Sequence, residues 1–313
     1  GINPPAGSPT GATEFYNGTS WTELNDMSTA RSYMYSGSAT GSAGAGLAVG
    51  GSPKVVTVEE FTAPSTFTKK NLGQVYYNSG SNAFKVTQTV LGTGAWASGG
   101  NLIAATSGMA SLGTQTAALS VGGYLGPPGA TAKNEEYNGT SWTEKADINT
   151  ARYGLRGGGT TTAAIVAGGP SSNNNLVESW NGSSWTETTE MASGKENGAS
   201  AGVQGAFLMF GGVPPATGDV NTFYWNGSSW AEGGDMVQAK RNLAGLGTFT
   251  AALAAGGETP SVTANVESYD GSSWTEIANL NNARRALAGS GSQTAGLVYG
   301  GTTGSDSTTT ESW

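Results

Sequence analysis

Five basic side chains occupy one place in a repeating unit: Arg31, Arg152, Lys195, Lys240 and Arg284 each follow a tryptophan by ten residues. A ring of such heads at the mouth of a pore would hold anions or sugar acids through charge-assisted hydrogen bonds. The same residues also suit hydrogen bonds to backbone carbonyls between neighbouring units, where the planar fork of Arg serves better than Lys. Carboxylates recur as well, at Glu135, Glu178 and Glu267. A pair of them across a cleft is the machinery of glycoside hydrolysis, but one glutamate per unit at a strand position favours a structural use.

Other chemistry is thin. The 313 residues include no Cys and no His, which removes thiol nucleophiles, disulfides, zinc-thiolate sites and the commonest general base. No catalytic residue, metal or cofactor is expected, and the chain reads as a non-enzyme. The formal net charge of −8 is spread over single acidic residues, not the basic footprint that nucleic acid requires. No stretch approaches the roughly 18 unbroken apolar residues of a membrane span. Gly-rich residues 41–50 lack the following Lys-Ser/Thr of a phosphate loop. Asn17, Asn138, Asn181 and Asn226 begin Asn-Gly-Ser/Thr triplets, but Asp270-Gly-Ser fills the same slot, so a turn explains them better than a sugar acceptor.

The elements that position these residues come from the repeat itself. Trp96, Trp142, Trp185, Trp230 and Trp274 each precede a Gly-Gly by 26 residues, and Trp21 precedes Gly50 by 29. Units of 43–46 residues between Trp96 and Trp274 have the size of one propeller blade. Within the unit at 152–187, a small-residue strand follows Arg152, and Ala163–Ala167 forms a second strand ending at Gly168-Gly169. Leu176–Trp180 forms a third. Asn181-Gly182 predicts a two-residue type I′ hairpin, and Ser183–Glu187 returns as the fourth strand. An aromatic stands five residues before the tryptophan at Tyr16, Tyr137, Trp180, Trp225 and Tyr269, and these rings fill the widening wedge between blades.

A basic residue, a Gly a few positions on, an apolar strand, Gly-Gly, then Tyr and Trp: this order resembles the kelch repeat over nearly the whole chain outside 62–94. The resemblance implies an all-β, six-bladed kelch-like β-propeller of four-stranded antiparallel blades. The wording Asn138-Gly-Thr-Ser-Trp-Thr-Glu144 and Gly113-Thr-Gln-Thr-Ala-Ala-Leu119 is similar to repeats in virion proteins of marine tailed phages. That resemblance implies a fibre, tail or capsid-decorating protein at the virion surface, extracellular, with other virion proteins and a host-surface glycan or protein as partners.

Residues 1–313 then form one domain. The last unit ends at Glu311-Ser312-Trp313 without a fourth strand, so segment 1–24 is expected to join the C-terminal blade and close the ring. Variable loops between second and third strands are the expected binding sites, with Tyr124, Asn173, Asn174 and Asn175 as ligand-binding candidates beside Arg31, Arg152, Lys240 and Arg284. Residues 62–94 read as a hairpin inserted in the first blade, whose Tyr76, Tyr77, Phe84 and Lys85 are partner-docking candidates. Attachment through the loops is the leading expectation. The alternatives are an assembly scaffold docking a neighbouring subunit through 62–94, and a secreted carbohydrate-active hydrolase.

Overall fold

A computed structural model describes residues 13–16, 21–23, 27–28, 41–42, 45–49, 58–62, 75–78, 83–86, 95–127, 129–170, 175–213 and 218–303. These are strands and connecting loops, with no helix among the described residues. The fold is a propeller of four-stranded antiparallel blades. Five blades are each built from one continuous stretch of chain, where six were expected. The first holds Gly41–Ser42, Ala45–Val49, Val58–Thr62 and Ala95–Ser98, and the second Ala110–Thr114, Ala117–Val121, Asn134–Tyr137 and Trp142–Lys145. The third holds Arg156–Gly159, Ala164–Ala167, Val177–Trp180 and Trp185–Glu187. The fourth holds Ala199–Val203, Ala206–Phe210, Thr222–Trp225 and Trp230–Glu232, and the fifth Ala244–Thr248, Ala251–Ala255, Val266–Tyr269 and Trp274–Ile277. A further four-stranded sheet is composite: Ala288–Ser292 and Ala295–Tyr299 are joined by Thr13–Tyr16 and Trp21–Glu23.

Burial within a blade follows from its sandwiched position. The second strand of the third blade is buried on both faces and reads Ala-Ile-Val-Ala without polar alternation. Its outer strand, Trp185–Glu187, buries only the tryptophan and turns Thr186 and Glu187 to solvent. The core therefore lies between blades. Leu112, Leu119 and Val121 of the second blade meet Val166, Trp180 and Trp185 of the third, with Ile148 and Leu155 from the connecting loop. The aromatic and the tryptophan five residues on sit opposite each other across the hairpin, with centroids 5.0 Å apart for Tyr137 and Trp142 and 5.2 Å for Trp180 and Trp185. The tryptophans also stitch blades together: Trp142 Nε1 donates to Gly100 O of the preceding blade at 3.0 Å, and Trp274 Nε1 to Thr222 Oγ1 at 2.9 Å.

The diglycine is a joint. In the third blade the Gly169 N–H donates to Lys195 O at 3.0 Å, and Gly212 N–H to Lys240 O at 2.7 Å, each carbonyl belonging to the connection that opens the next blade. Both glycines of a pair have positive φ, at +63° and +96° for Gly211 and Gly212. This one contact ties the Gly-Gly to the basic residue and explains why both keep fixed offsets from the same tryptophan.

The expected two-residue hairpin turn is corrected. Trp180 pairs with Trp185, leaving a four-residue loop, Asn181-Gly-Ser-Ser184. Only Gly182 takes positive φ, at +94°. Asn181 Oδ1 instead accepts the N–H groups of Ser183 and Ser184, both at 2.9 Å, an Asx cap that a type I′ turn does not need. Asp270 does the same with Ser272 and Ser273, and these N–H donors hold its carboxyl at about 2, below the usual 3.8. Within residues 62–94, Val75–Asn78 pairs antiparallel with Ala83–Val86.

Candidate functional site

The basic residues do not face a pore mouth. Arg152, Lys195, Lys240 and Arg284 are all buried, with at most 1% exposure, so they are not presented to a ligand. Arg152 Nε donates to Gly168 O at 3.0 Å, its Nη1 donates to Thr150 O at 3.1 Å, and the guanidinium pairs with Glu178. These carbonyl bonds lie within the blade that Arg152 enters, not between neighbours. Lys240 Nζ stands 3.0 Å from Glu267 and 2.5 Å from Asn265 Oδ1. Burial still lowers the pKa of both Lys195 and Lys240, their acidic partners only partly restoring it.

The recurrent glutamates complete the same device. Glu178 accepts Asn149 N at 2.7 Å and Asn149 Nδ2 at 2.8 Å. Glu267 accepts Val237 N at 2.7 Å and Gln238 N at 3.1 Å. Each carboxylate thus anchors the loop arriving from the preceding blade. Two blades depart from the pattern. In the fourth, Phe223 takes the glutamate's place, and Lys195 pairs instead with Asp219 while lying 5.2 Å from the Phe223 ring centroid. In the second, Thr106 replaces the basic residue. Glu135 keeps its backbone donors, Ile103 N at 2.8 Å and Ala104 N at 3.1 Å, and burial raises its pKa.

Two residues further along the unit the chain reaches the axial mouth, at the start of the innermost strands. Gly108, Gly154, Asn197, Asn242 and Ala286, twelve residues after their tryptophans, all take left-handed φ between +53° and +69°. Their backbones link in series: Gly154 N donates to Gly108 O, Asn197 N to Gly154 O, Asn242 N to Asn197 O and Ala286 N to Asn242 O, at 2.7–3.2 Å. The residues just before them pair with the loops between second and third strands, as Ser107 with Tyr124, Glu196 with Val213, Arg241 with Glu258 and Arg285 with Thr302. The variable loops and the blade-to-blade connections therefore share one face.

On that face the position eleven residues after the tryptophan carries Ser107, Tyr153, Glu196, Arg241 and Arg285, so its chemistry changes around the axis. Tyr124 and Tyr153 meet edge to face with centroids 5.5 Å apart. Arg241 Nε lies 3.0 Å from Glu258 Oε1, which also accepts Asn242 Nδ2 at 2.8 Å, while Arg285 pairs with Glu258 Oε2. Glu196 is half-buried and its carboxyl is raised by desolvation, with Arg156 and Arg241 pulling it back. Tyr124 was anticipated. Tyr153, Glu196, Arg241, Glu258 and Arg285 were not, although a position that varies in charge beside a column of Gly and Asn is a readable sign of a mouth built on left-handed residues.

Asn175, the described member of the predicted asparagine loop, donates from Nδ2 to Glu190 Oε2 at 2.6 Å. Asn173, Asn174 and Arg31 lie outside the described residues, as do the side chains of Tyr76, Tyr77, Phe84 and Lys85. Among the described residues no group of three or more Asp or Glu side chains is placed to hold a metal ion, and no helix is long and apolar enough to cross a membrane.

Against known proteins, no family model and no curated protein matches the chain. Among solved structures it is similar to one titled "Structure of YjhT", with a TM-score of 0.66 and 12% identity over 89% of this chain and 92% of that one. At that identity the likeness speaks to the fold, and it agrees with the propeller.

Proposed function

We propose that this chain is a six-bladed, kelch-like propeller of a tailed-phage particle, non-enzymatic, that attaches the particle to a host-surface glycan or protein through its loop face. In this reading the composite sheet is the sixth blade and closes the ring. Its support is that Ala288–Ser292 touches Ala244–Thr248 on one side and Gly41–Ser42 on the other, and that Tyr299 Oη donates to Leu47 O of the first blade at 3.2 Å. Deleting residues 1–24 is then expected to lower the melting temperature sharply. An unchanged thermal transition in that deletion would remove the closure.

The observation that carries attachment is the contrast between two neighbouring columns of the repeat. Among the described residues, Arg152, Lys195, Lys240 and Arg284 and the recurrent Glu135, Glu178 and Glu267 are spent inside the blades, which leaves no carboxylate pair among them for hydrolysis. The next column, from Tyr153 to Arg285, presents varied aromatic and charged groups at the mouth. Such variation on a rigid frame is where recognition is built. Binding to host-surface glycans or whole host cells is expected to fall at least about tenfold in Tyr124→Ala/Tyr153→Ala, with the melt unchanged. Binding that survives this pair favours the scaffold reading, for which the separate hairpin at Val75–Val86 is the support. Loss of particle incorporation on deleting 62–94 is its signature.

A further inference from the structure

The two arginines at the mouth share a single carboxylate. Glu258 is fully used, with Oε1 taken by Arg241 Nε and Asn242 Nδ2 and Oε2 taken by Arg285. The guanidiniums are not. Each presents five N–H donors, and among the described residues Arg285 Nε is buried without a hydrogen-bond partner. The side chains of Arg241 and Arg285 keep 34% and 17% of their surface open to solvent, so the pair is reachable from outside. Counting Glu196, on which Arg156 and Arg241 both act, three guanidiniums stand against two carboxylates, Glu258 and Glu196, and leave the cluster with one cation in excess. Of these, Arg156 donates to the backbone carbonyls of Gly198, Gly154 and Leu155 and lies buried, so the excess is presented by Arg241 and Arg285.

An oxyanion is the group that completes this arrangement. It accepts from the terminal N–H groups that Glu258 leaves unused, and it cancels the excess charge in a partly desolvated setting where such bonds are strong. A buried lysine pair would act as point charges. Guanidinium forks instead select planar or tetrahedral oxyanions by geometry.

We infer that Arg241 and Arg285, drawn together on Glu258, form a binding site for the carboxylate or sulfate groups of an acidic polysaccharide. The inference rests on the reading of this face as an attachment surface and names its ligand class. A sugar ring lying on the Tyr124–Tyr153 pair accounts for the aromatic sector of the same mouth, which is why a polysaccharide is argued over an acidic protein segment.

The test titrates the intact protein with sodium acetate and with sodium sulfate, each against sodium chloride at matched ionic strength, followed by calorimetry. A hexuronate oligosaccharide and its neutral hexose counterpart form the second arm. Saturable binding of acetate with the hexuronate marks a carboxylate ligand; saturable binding of sulfate alone marks a sulfated one. Arg241→Ala is expected to weaken binding at least about tenfold, the loss of one charge-assisted contact. Glu258→Gln is expected to strengthen it, because the competing carboxylate is gone while the amide keeps the shape. Opposite signs for these two variants cannot come from partial unfolding. Equal binding by wild type and both variants, or no saturable binding of either anion, overturns the site. Binding of an acidic peptide but not of the hexuronate overturns the ligand class. Host attachment that depends on Tyr124 and Tyr153 without any anion binding sinks this inference and leaves the attachment reading standing; anion binding without host attachment does the reverse.

Discussion

Gly212→Ala is expected to destabilise the protein by more than about 3 kcal/mol, whereas Gly205→Ala stays within about 0.5 kcal/mol of wild type. Gly212 has φ of +96°, and a Cβ there would meet Glu196 O at 2.7 Å, Gly198 N at 2.8 Å and Gly198 Cα at 2.9 Å. All three are backbone atoms of its own blade, and none can rotate away. Backing off also strains the Gly212 N–H bond to Lys240 O, at 2.7 Å the link to the next blade. The cost therefore spreads from one strand end to the joint between two blades. At Gly205 nothing lies within 4 Å of the added carbon, so it isolates the general effect of replacing a glycine in a turn. Urea unfolding of the two variants side by side measures the difference. Similar midpoints would show that the diglycine is a tolerant turn and not a joint.

How much of this was legible in the sequence depends on where each residue's partner sits. The diglycine, the tryptophans and the aromatics five residues before them mark out the blades because their roles recur with the chain. The strand expected at Ala163–Ala167 is found at Ala164–Ala167, and the tryptophan expected in the outer strand opens it at Trp185. The reason for the diglycine was hidden, since its partner is a carbonyl 26 residues on in the connection to the next blade, Lys195 O for Gly169. A backbone acceptor leaves no trace in residue type. The turn after Trp180 was misread for a related reason. Asn-Gly is the commonest two-residue hairpin signal, and the two serines that follow looked like strand; only the Asn181 side chain accepting both their N–H groups reveals the longer loop.

The basic column was left open between a mouth and an interior because its spacing fits both, and burial decided the matter. The clue available was its regular partner. A glutamate recurs 26 or 27 residues after the basic residue, as Glu178 after Arg152 and Glu267 after Lys240. Where Phe223 breaks that column, an acid appears nearby at Asp219, as a buried ammonium requires. The mouth itself was less visible. Its function-bearing side chains vary from blade to blade, so a search for repetition passes over them.

Glu178→Ala is expected to cost about 3–5 kcal/mol, the price of leaving a buried charge without its counterion. Arg152 has no exposed surface and cannot reach water when the carboxylate is removed. The N–H of Asn149 and its side-chain amide lose their acceptor at the same time. Two comparisons separate these contributions. Glu135→Ala removes a carboxylate that holds two backbone N–H groups in a blade where Thr106 takes the repeat position of the buried cation, and it is expected to cost only about 1–3 kcal/mol. Arg152→Met combined with Glu178→Ala removes both charges, and it is expected to recover part of the single-variant loss, because the stranded guanidinium is gone. Denaturant midpoints for the four variants, Arg152→Met alone included, give the coupling directly. A double variant as unstable as the sum of its singles would mean that the pair contributes nothing as a pair, and that the loop anchor at Asn149 carries the whole effect.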